Sequence, residues 1–469
     1  MPNVLAWLVM ISTPVVAWVL ATRYSPRRAT MVLLFGASMF WPNQTSFDLP
    51  MSPNLDKDIF PAFCMLLVLA IKARPALARA RAHRSYELLF LLAAFGAVGT
   101  VLTNTDDLVY GPVTLNGLKI NDLVYHLVEI AVRWFPPFFL GHALFRSRAA
   151  LEDLFRFMTL CGLVYSLFIL VEIRLSPQLH NWVYGFHASA FMQSIRMGGY
   201  RPTVFMRHGL NVSLFMVMCV LATAALYKIE YRLKIRFFSS GRALVFLIVI
   251  LILCKSTGAY FYAALGIPLV LYAPIPARRW VALGMAVVVL SYPIARHLDL
   301  VPVDDIVEAI RVNIGEERAG SIGFRFYNEA EVLENARERM WFGWGYNARP
   351  FEHDPYTGLM MSVVDGWWAI ELSAHGIVGF LATFLLMLLP IFQAVRVLPK
   401  LRRSSDQQLL GTLTLMCAIY MFDWVPNAPI SAELNMLVGA LAGVAPGMWR
   451  EQQVRLRSQR REARLASRA

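Results

Sequence analysis

The chain has 469 residues, 57% of them hydrophobic and 16% charged, with a mean hydropathy of +0.52. That composition excludes a soluble multidomain protein and predicts a polytopic membrane protein. The apolar runs are continuous rather than alternating, which excludes a spanning barrel and leaves an all-α transmembrane helical bundle.

Runs of about 20 apolar residues cross ~30 Å of hydrocarbon as helices. Thirteen are predicted, near 4–22, 31–46, 58–73, 87–104, 122–143, 154–172, 207–227, 243–256, 258–275, 280–296, 364–394, 408–425 and 431–449. The second, eighth and ninth are short, so the count is about 12–13 spans. The first run has no basic stretch before it and no convincing cleavage site, and is expected to be a retained helix. The domain plan is residues 1–296 with helices 1–10 and an outer segment at 173–206, a large outer loop at 297–363, helices 11–13 over 364–449, and a basic tail at 450–469.

The net charge of +13 invites a nucleic-acid reading, but the positions of the charges argue against it. Alternate loops and the tail hold 29 of the 44 basic residues and only six of the 31 acids, which is the pattern of cytoplasm-facing loops. The tail, Arg450 to Arg468, is expected to touch anionic membrane lipids. The outer segments are then 47–57, 105–121, 173–206 and 297–363. The first two carry no legible signal. In the third, Trp182, Phe186, Phe191 and Ile195 among polar residues predict a helix lying at the interface. In the large loop, Phe326, Ala330, Leu333 and Met340 recur at helical spacing and predict an amphipathic helix over 325–341 that Gly343 ends.

Three outward arginines are candidate anion ligands: Arg201, Arg207 and Arg325. Guanidinium groups suit bidentate capture of phosphate oxygens. The plainer alternative pairs Arg325 with Glu329 at i,i+4 and anchors the other two to lipid phosphates. His353, Asp354 and Asp365 are candidate acid–base groups, with histidine best matched to neutral pH. Asp365 could equally cap the helix that starts at Gly366-Trp367-Trp368. His126, Glu129 and Arg133 share one helix face, as a structural pair or as a proton or substrate path. The five cysteines, Cys64, Cys161, Cys219, Cys254 and Cys417, lie in or beside apolar runs at no metal-binding spacing. No phosphate-binding glycine loop, HExxH or GxSxG occurs, and no metal or cofactor is expected.

Three segments resemble the bacterial O-antigen polymerase and O-antigen ligase superfamily of membrane glycosyltransferases. Tyr200-Arg201-Pro202 through His208-Gly209 is similar to its arginine-bearing entry to a middle span. Lys255-Ser256-Thr257-Gly258-Ala259 resembles its short Ser-Arg-Gly-Ala motif without the arginine. Ser321 to Arg325, then Trp341-Phe342-Gly343-Trp344-Gly345, then Asp365 and Gly376, resembles its arginine, helix, glycine turn and span start. Where family ligases place a catalytic histidine, this chain has Asp365. Either Asp365 substitutes, or His353 serves from the loop, or proton abstraction matters little.

The resemblance implies polymerisation of undecaprenyl-diphosphate-linked oligosaccharide on an acceptor glycan, at the periplasmic face of the bacterial inner membrane. The alternative is ligation of the lipid-linked glycan to a lipid or protein. It implies that Arg201, Arg207 and Arg325 hold the diphosphate, while His208, Trp344 and Trp367 touch substrate. Asp365, His353 and Arg325 are the expected catalytic group. Trp341 and Trp368 are further candidates for stacking on sugars. Chain-length regulator and export proteins are the further partners it implies, and nucleic acid is not one. A transporter is the rival class, disfavoured by the large outer loop and by the lack of broken spans in two matching halves.

Overall fold

Hydrocarbon leaves backbone amides and carbonyls no partner but each other, so each predicted apolar run should be helical. Each one is, at least in large part. A computed structural model describes residues 2–78, 83–233, 239–346 and 348–466. Parts of the basic loops 72–84 and 228–242 and the end of the tail lie outside the described residues. The protein is 72% helical, with only two short hairpins among the described residues.

Among the described residues, six helices are long and apolar enough to span a membrane: Arg84–Leu102, Ile120–Leu144, Arg148–Leu175, Gly209–Lys228, Ile275–His297 and Trp367–Lys400. A seventh results if Val4–Ile11 and Thr13–Arg23, bent by 46°, form one span. This is a multi-pass membrane architecture, with fewer full-length spans than the 12–13 expected. Phe60–Lys72, Ser240–Leu253 and Thr257–Leu271 are apolar but short. Pro26–Phe40 is also short, and Ser404–Asp423 and Ala432–Ala466 carry buried polar residues such as Asp406, Gln408, Glu433 and Asn435. Gly209–Lys228 is the central helix, 89% buried, and packs against Arg148–Leu175, Ser240–Leu253, Thr257–Leu271 and Ser404–Asp423.

The large loop folds as two helices, Val303–Asn313 and Glu316–Glu338. The second begins earlier than predicted and buries a different face. Asn328, Glu329, Val332, Leu333 and Ala336 point inward, so only Leu333 of the predicted apolar face is buried, while Ala330 is exposed. The reason is electrostatic. Arg296, at the end of Ile275–His297, pairs with Glu329 at 3.4 Å, and Tyr292 donates to the same carboxylate at 3.0 Å. A buried acid with a cation and a hydroxyl partner is tolerable inside.

The loop is fastened where Trp367–Val397 breaks. Gly376 has φ 64° and ψ −167°, so the N–H groups of Ile377 and Val378 cannot bond to Ser373 and Ala374 as a helix requires. The turn around Gly343 supplies all four missing partners. Trp344 N–H donates to Ser373 O at 2.9 Å and Gly345 N–H to Ala374 O at 2.8 Å; Ile377 N–H donates to Met340 O at 2.8 Å and Val378 N–H to Trp341 O at 3.2 Å. Asn104 and Thr100 brace the turn through Gly343 O and Phe342 O, at 2.8 and 2.5 Å. Glycine is required on both sides, because Gly343 (φ +70°) meets the Ala374 backbone and Gly376 meets the Trp341 backbone without room for a Cβ.

Of the other outer segments, 105–121 carries no legible signal in the sequence and 173–206 differs from expectation. Residues 105–121 form a hairpin, Leu108–Tyr110 with Val113–Leu115, which packs under the loop. Arg349 donates to the carbonyls of Asp106, Leu115 and Asn116, and Asp106 pairs with Arg339 at 2.6 Å. Residues 173–206 hold a six-residue α-helix, Leu179–Tyr184, which a left-handed Gly185 stops, then a 3-10 turn at Phe191–Ser194 and a second hairpin at Ile195–Arg196 and Gly199–Tyr200.

Gly376→Ala and Gly343→Ala should each destabilise the protein by more than the ~1–2 kcal/mol cost of a left-handed alanine, since each Cβ also strikes backbone. Gly284→Ala, where a Cβ meets nothing, is the matched control. Thermal unfolding in detergent checks this, and equal melting of all three variants would contradict the fastening.

Candidate functional site: an arginine-lined anion site

Glu316–Glu338 carries Arg325 to the loop end of the bundle, next to the residues that precede Trp367. The Arg325 guanidinium donates to Pro426 O at 2.9 Å and lies 3.4 Å from Asn427 Oδ1, while its Nε pairs with Asp365 Oδ2 at 3.1 Å. The i,i+4 alternative with Glu329 is thereby overturned, because Glu329 faces inward to Arg296. Asp365 does not cap the following helix either. Gly366 occupies the cap position without a side-chain bond, leaving the half-exposed Asp365 carboxylate on Arg325. Beneath this pair, Asp423 accepts hydrogen bonds from Tyr262 at 2.7 Å and Asn427 at 2.8 Å.

Arg201 arrives from the other outer segment. It is 7% exposed, and its Nε and Nη2 donate to the carbonyl of Lys255 at 3.3 and 3.2 Å. No carboxylate pairs with it among the described residues. Arg196 and Arg318 lie within electrostatic reach of it, and Lys255 Nζ reaches the Met197 carbonyl at 3.4 Å, next to Arg196. Burial and those two arginines push the Arg201 guanidinium down to about 10, so it stays charged at neutral pH. His208 sits just before the first residue of Gly209–Lys228 and caps that helix, its Nδ1 accepting from Leu210 N–H at 3.2 Å. Burial, then Arg201, Arg196 and Arg325, push its imidazole down to about 4. Arg196, Arg201 and Arg325 thus act electrostatically on His208, and Arg196 and Arg318 act on Arg201.

A buried guanidinium held only by a carbonyl is a preorganised anion ligand, and several converging cations suit a phosphate group. The site therefore offers positively charged, anion-binding groups from two separate outer segments and one carboxylate, Asp365, on its rim. Among the described residues, no group of three or more His, Cys, Asp and Glu side chains is placed to hold a metal ion.

Residues 243–393 match the O-antigen ligase family. The similarity covers 151 of the 469 residues. No curated protein matches the chain. The matched segment contains Lys255, Arg318, Arg325, Asp365 and the Gly343–Gly376 fastening, whereas Arg196, Arg201 and His208 precede it. That family implies a membrane enzyme that transfers glycans between a lipid-linked donor and an acceptor, and the multi-pass helical scaffold is consistent with it.

The remaining expected residues separate from this group. Arg207 is turned to Asp56 at 3.3 Å and Asp58 at 3.5 Å and does not join the other arginines. His353 is buried: its Nδ1 bonds to Phe351 O at 2.8 Å and its ring stacks on Tyr110 at 4.7 Å, which makes it part of the loop's attachment to the first hairpin. Asp354 caps a turn by accepting from Tyr356 and Thr357 N–H. Trp344 donates to Asn335 O at 2.7 Å and lies under Arg339 at 4.3 Å, and Trp368 is fully buried, so neither offers a ring face to a sugar. Trp367 packs between Trp134 and Trp424, at 6.2 and 6.3 Å. Trp341 alone of the four is openly exposed, at 66%.

The span 5 charges form the expected ion pair, Arg133 Nε to Glu129 Oε1 at 2.9 Å. His126 stacks on Tyr346 of the loop at 4.8 Å and meets His375 edge-on at 5.6 Å. His375 lies 3.3 Å from Glu371, which also accepts from Thr383 at 2.7 Å. His375 and Glu371 carry no recognisable pattern in the sequence, because they sit inside an apolar run.

With its pKa depressed from 6.5 to about 4, His208 stabilises the fold above pH ~6.5 only while neutral. That stability is lost as pH falls from about 6.5 through about 4. His208→Asn keeps a capping oxygen but cannot charge. Its melting temperature should therefore fall less than the parent's between those pH values, and parallel curves would contradict the assignment.

Proposed function

We propose that the protein transfers a glycan from undecaprenyl diphosphate to a saccharide hydroxyl, extending an exopolysaccharide or O-antigen chain at the periplasmic face of the bacterial inner membrane. The observation that carries this is the buried Arg201 guanidinium, without a carboxylate partner, grouped with Arg325 from the opposite loop beside His208. One buried and one rim guanidinium suit a diphosphate, an anion too large for a single side chain.

The bond between the acceptor oxygen and the sugar C1 forms as the bond from C1 to the phosphate oxygen breaks. The diphosphate leaves with an additional negative charge, which Arg201 and Arg325 are already positioned to receive. The acceptor proton passes to Asp365, whose carboxylate Arg325 holds at the rim. No metal enters this scheme. His208 is neutral at working pH and orders the start of the central helix beside the site. Arg207, exposed and flanked by two carboxylates, fits saccharide hydroxyls better than the diphosphate.

The family description favours a second reading in the same chemistry, ligation of the finished glycan to a lipid. Purified protein incubated with undecaprenyl-diphosphate oligosaccharide separates the two. A ladder of lengthened chains supports polymerisation, and single transfer to a lipid acceptor supports ligation. Absence of any transfer would overturn both. Arg325→Ala should lower turnover by about 10²-fold or more, as for loss of one preorganised charge donor. Asp365→Asn should lower turnover while leaving donor binding intact. His353→Ala should instead lower melting temperature, since that ring is packed into the loop. If His353→Ala abolishes turnover in a fully folded protein and Asp365→Asn does not, the assignment of the base is wrong.

A further inference from the structure

The anion site carries more positive charge than a diphosphate requires. Its cations are Arg196, Arg201, Lys255, Arg318 and Arg325. The acids in contact with any of them are Asp365, paired with Arg325, and Asp423 beneath it. Counting both acids as ionised, five cations less two acids leaves three uncompensated charges. A diphosphate esterified at both ends lacks the second ionisation of a terminal phosphate and carries about one negative charge per phosphorus, about two in all. One positive charge is left over even on this conservative count.

The surplus is also displaced from the Arg201–Arg325 pair. Arg318 and Arg325 stand seven residues apart on one helix, about two turns and about 10 Å along the same face. Arg318 has no ion pair among the described residues, and its neighbour Glu316 is taken by Arg311 at 3.0 Å. Arg196 is partly buried, and its Nε is shielded from solvent without a hydrogen-bond partner. Both lie within reach of Arg201. A diphosphate bridging Arg201 and Arg325 would leave these two guanidinium groups available to whatever is attached to it. Guanidinium groups that act on Arg201 and have no carboxylate of their own among the described residues are ready to take a further anion.

We propose that the donor glycan bears an acidic group, a carboxylate or a phosphate, on a sugar close to its diphosphate, and that Arg196 and Arg318 recognise it. The proposal rests on the diphosphate reading above and adds the substrate class. Such a site would select acidic repeat units over neutral ones before any chemistry takes place, because an unpaired guanidinium costs the complex with a neutral donor the bonds that an acid supplies.

The test is binding of two synthetic probes to the full chain in nanodiscs of zwitterionic lipid. Farnesyl diphosphate carries glucuronic acid in one probe and glucose in the other. The acidic probe should bind about tenfold tighter or more, the range expected for hydrogen bonds to charged groups. Arg318→Gln and Arg196→Gln should bring the ratio of the two affinities toward one, whereas Arg325→Ala should weaken both probes and preserve the ratio. Equal affinity of the two probes for the parent protein overturns the proposal, as does an acid preference that persists in both glutamine variants. If neither probe binds, the diphosphate reading falls with it. If the glucose probe binds and Arg325→Ala weakens it, that reading stands by itself.

Discussion

A helix broken inside an apolar bundle must find partners for the backbone groups it releases. That constraint organises the functional half of this protein. The break at Gly376 frees two carbonyls and two amides, and the turn around Gly343 returns four hydrogen bonds to them. Unmade, each such group would cost about 1–3 kcal/mol, and more where no water enters. The large loop is thus held by main-chain bonding rather than by surface charge alone. Because Glu316–Glu338 leads directly into that turn, the position of Arg325 depends on the same contact.

Charge supplies the second constraint. Arg296 and Glu329 neutralise each other inside, Arg133 and Glu129 do the same, and Arg207 faces two aspartates. Against this background of satisfied pairs, the group around His208 is unbalanced. Arg201 and Arg325 come from separate outer segments, 124 positions apart in the chain, and each has its donors oriented before any ligand is present. Orientation of this kind is what lets fixed groups stabilise charge that develops during a reaction. Burial, and after it the same arginines, hold the His208 imidazole below its ordinary range.

Hydropathy revealed where the helices run, because continuous apolar stretches admit no other structure in a membrane. It overstated how many are full-length spans, since short helices such as Phe60–Lys72 and polar ones such as Ser404–Asp423 still pack in the bundle. Arg201, Arg325 and Asp365 were each visible in the sequence, but the Arg325–Asp365 pair crosses 40 residues and has no local signature. The buried face of Glu316–Glu338 was misjudged because an acid looks like a solvent-facing residue until Arg296 is placed beside it. Arg196 and Arg318 resemble any surface arginine in sequence, and only the fold brings them to Arg201. His353 and Trp344 drew attention by residue type, yet the hairpin at 108–115 and the carbonyl of Asn335 absorb them into structure.

The central claim is that two arginines from separate loops grip one anion. A double-mutant cycle on farnesyl diphosphate binding, with Arg201→Gln, Arg325→Gln and the pair, measures this directly. Shared contact with one diphosphate predicts a coupling of about 1 kcal/mol or more between the two positions, so that the double variant loses markedly less than the sum of the singles. Losses that add, with no coupling, would mean that the two arginines serve different sites and would contradict the account.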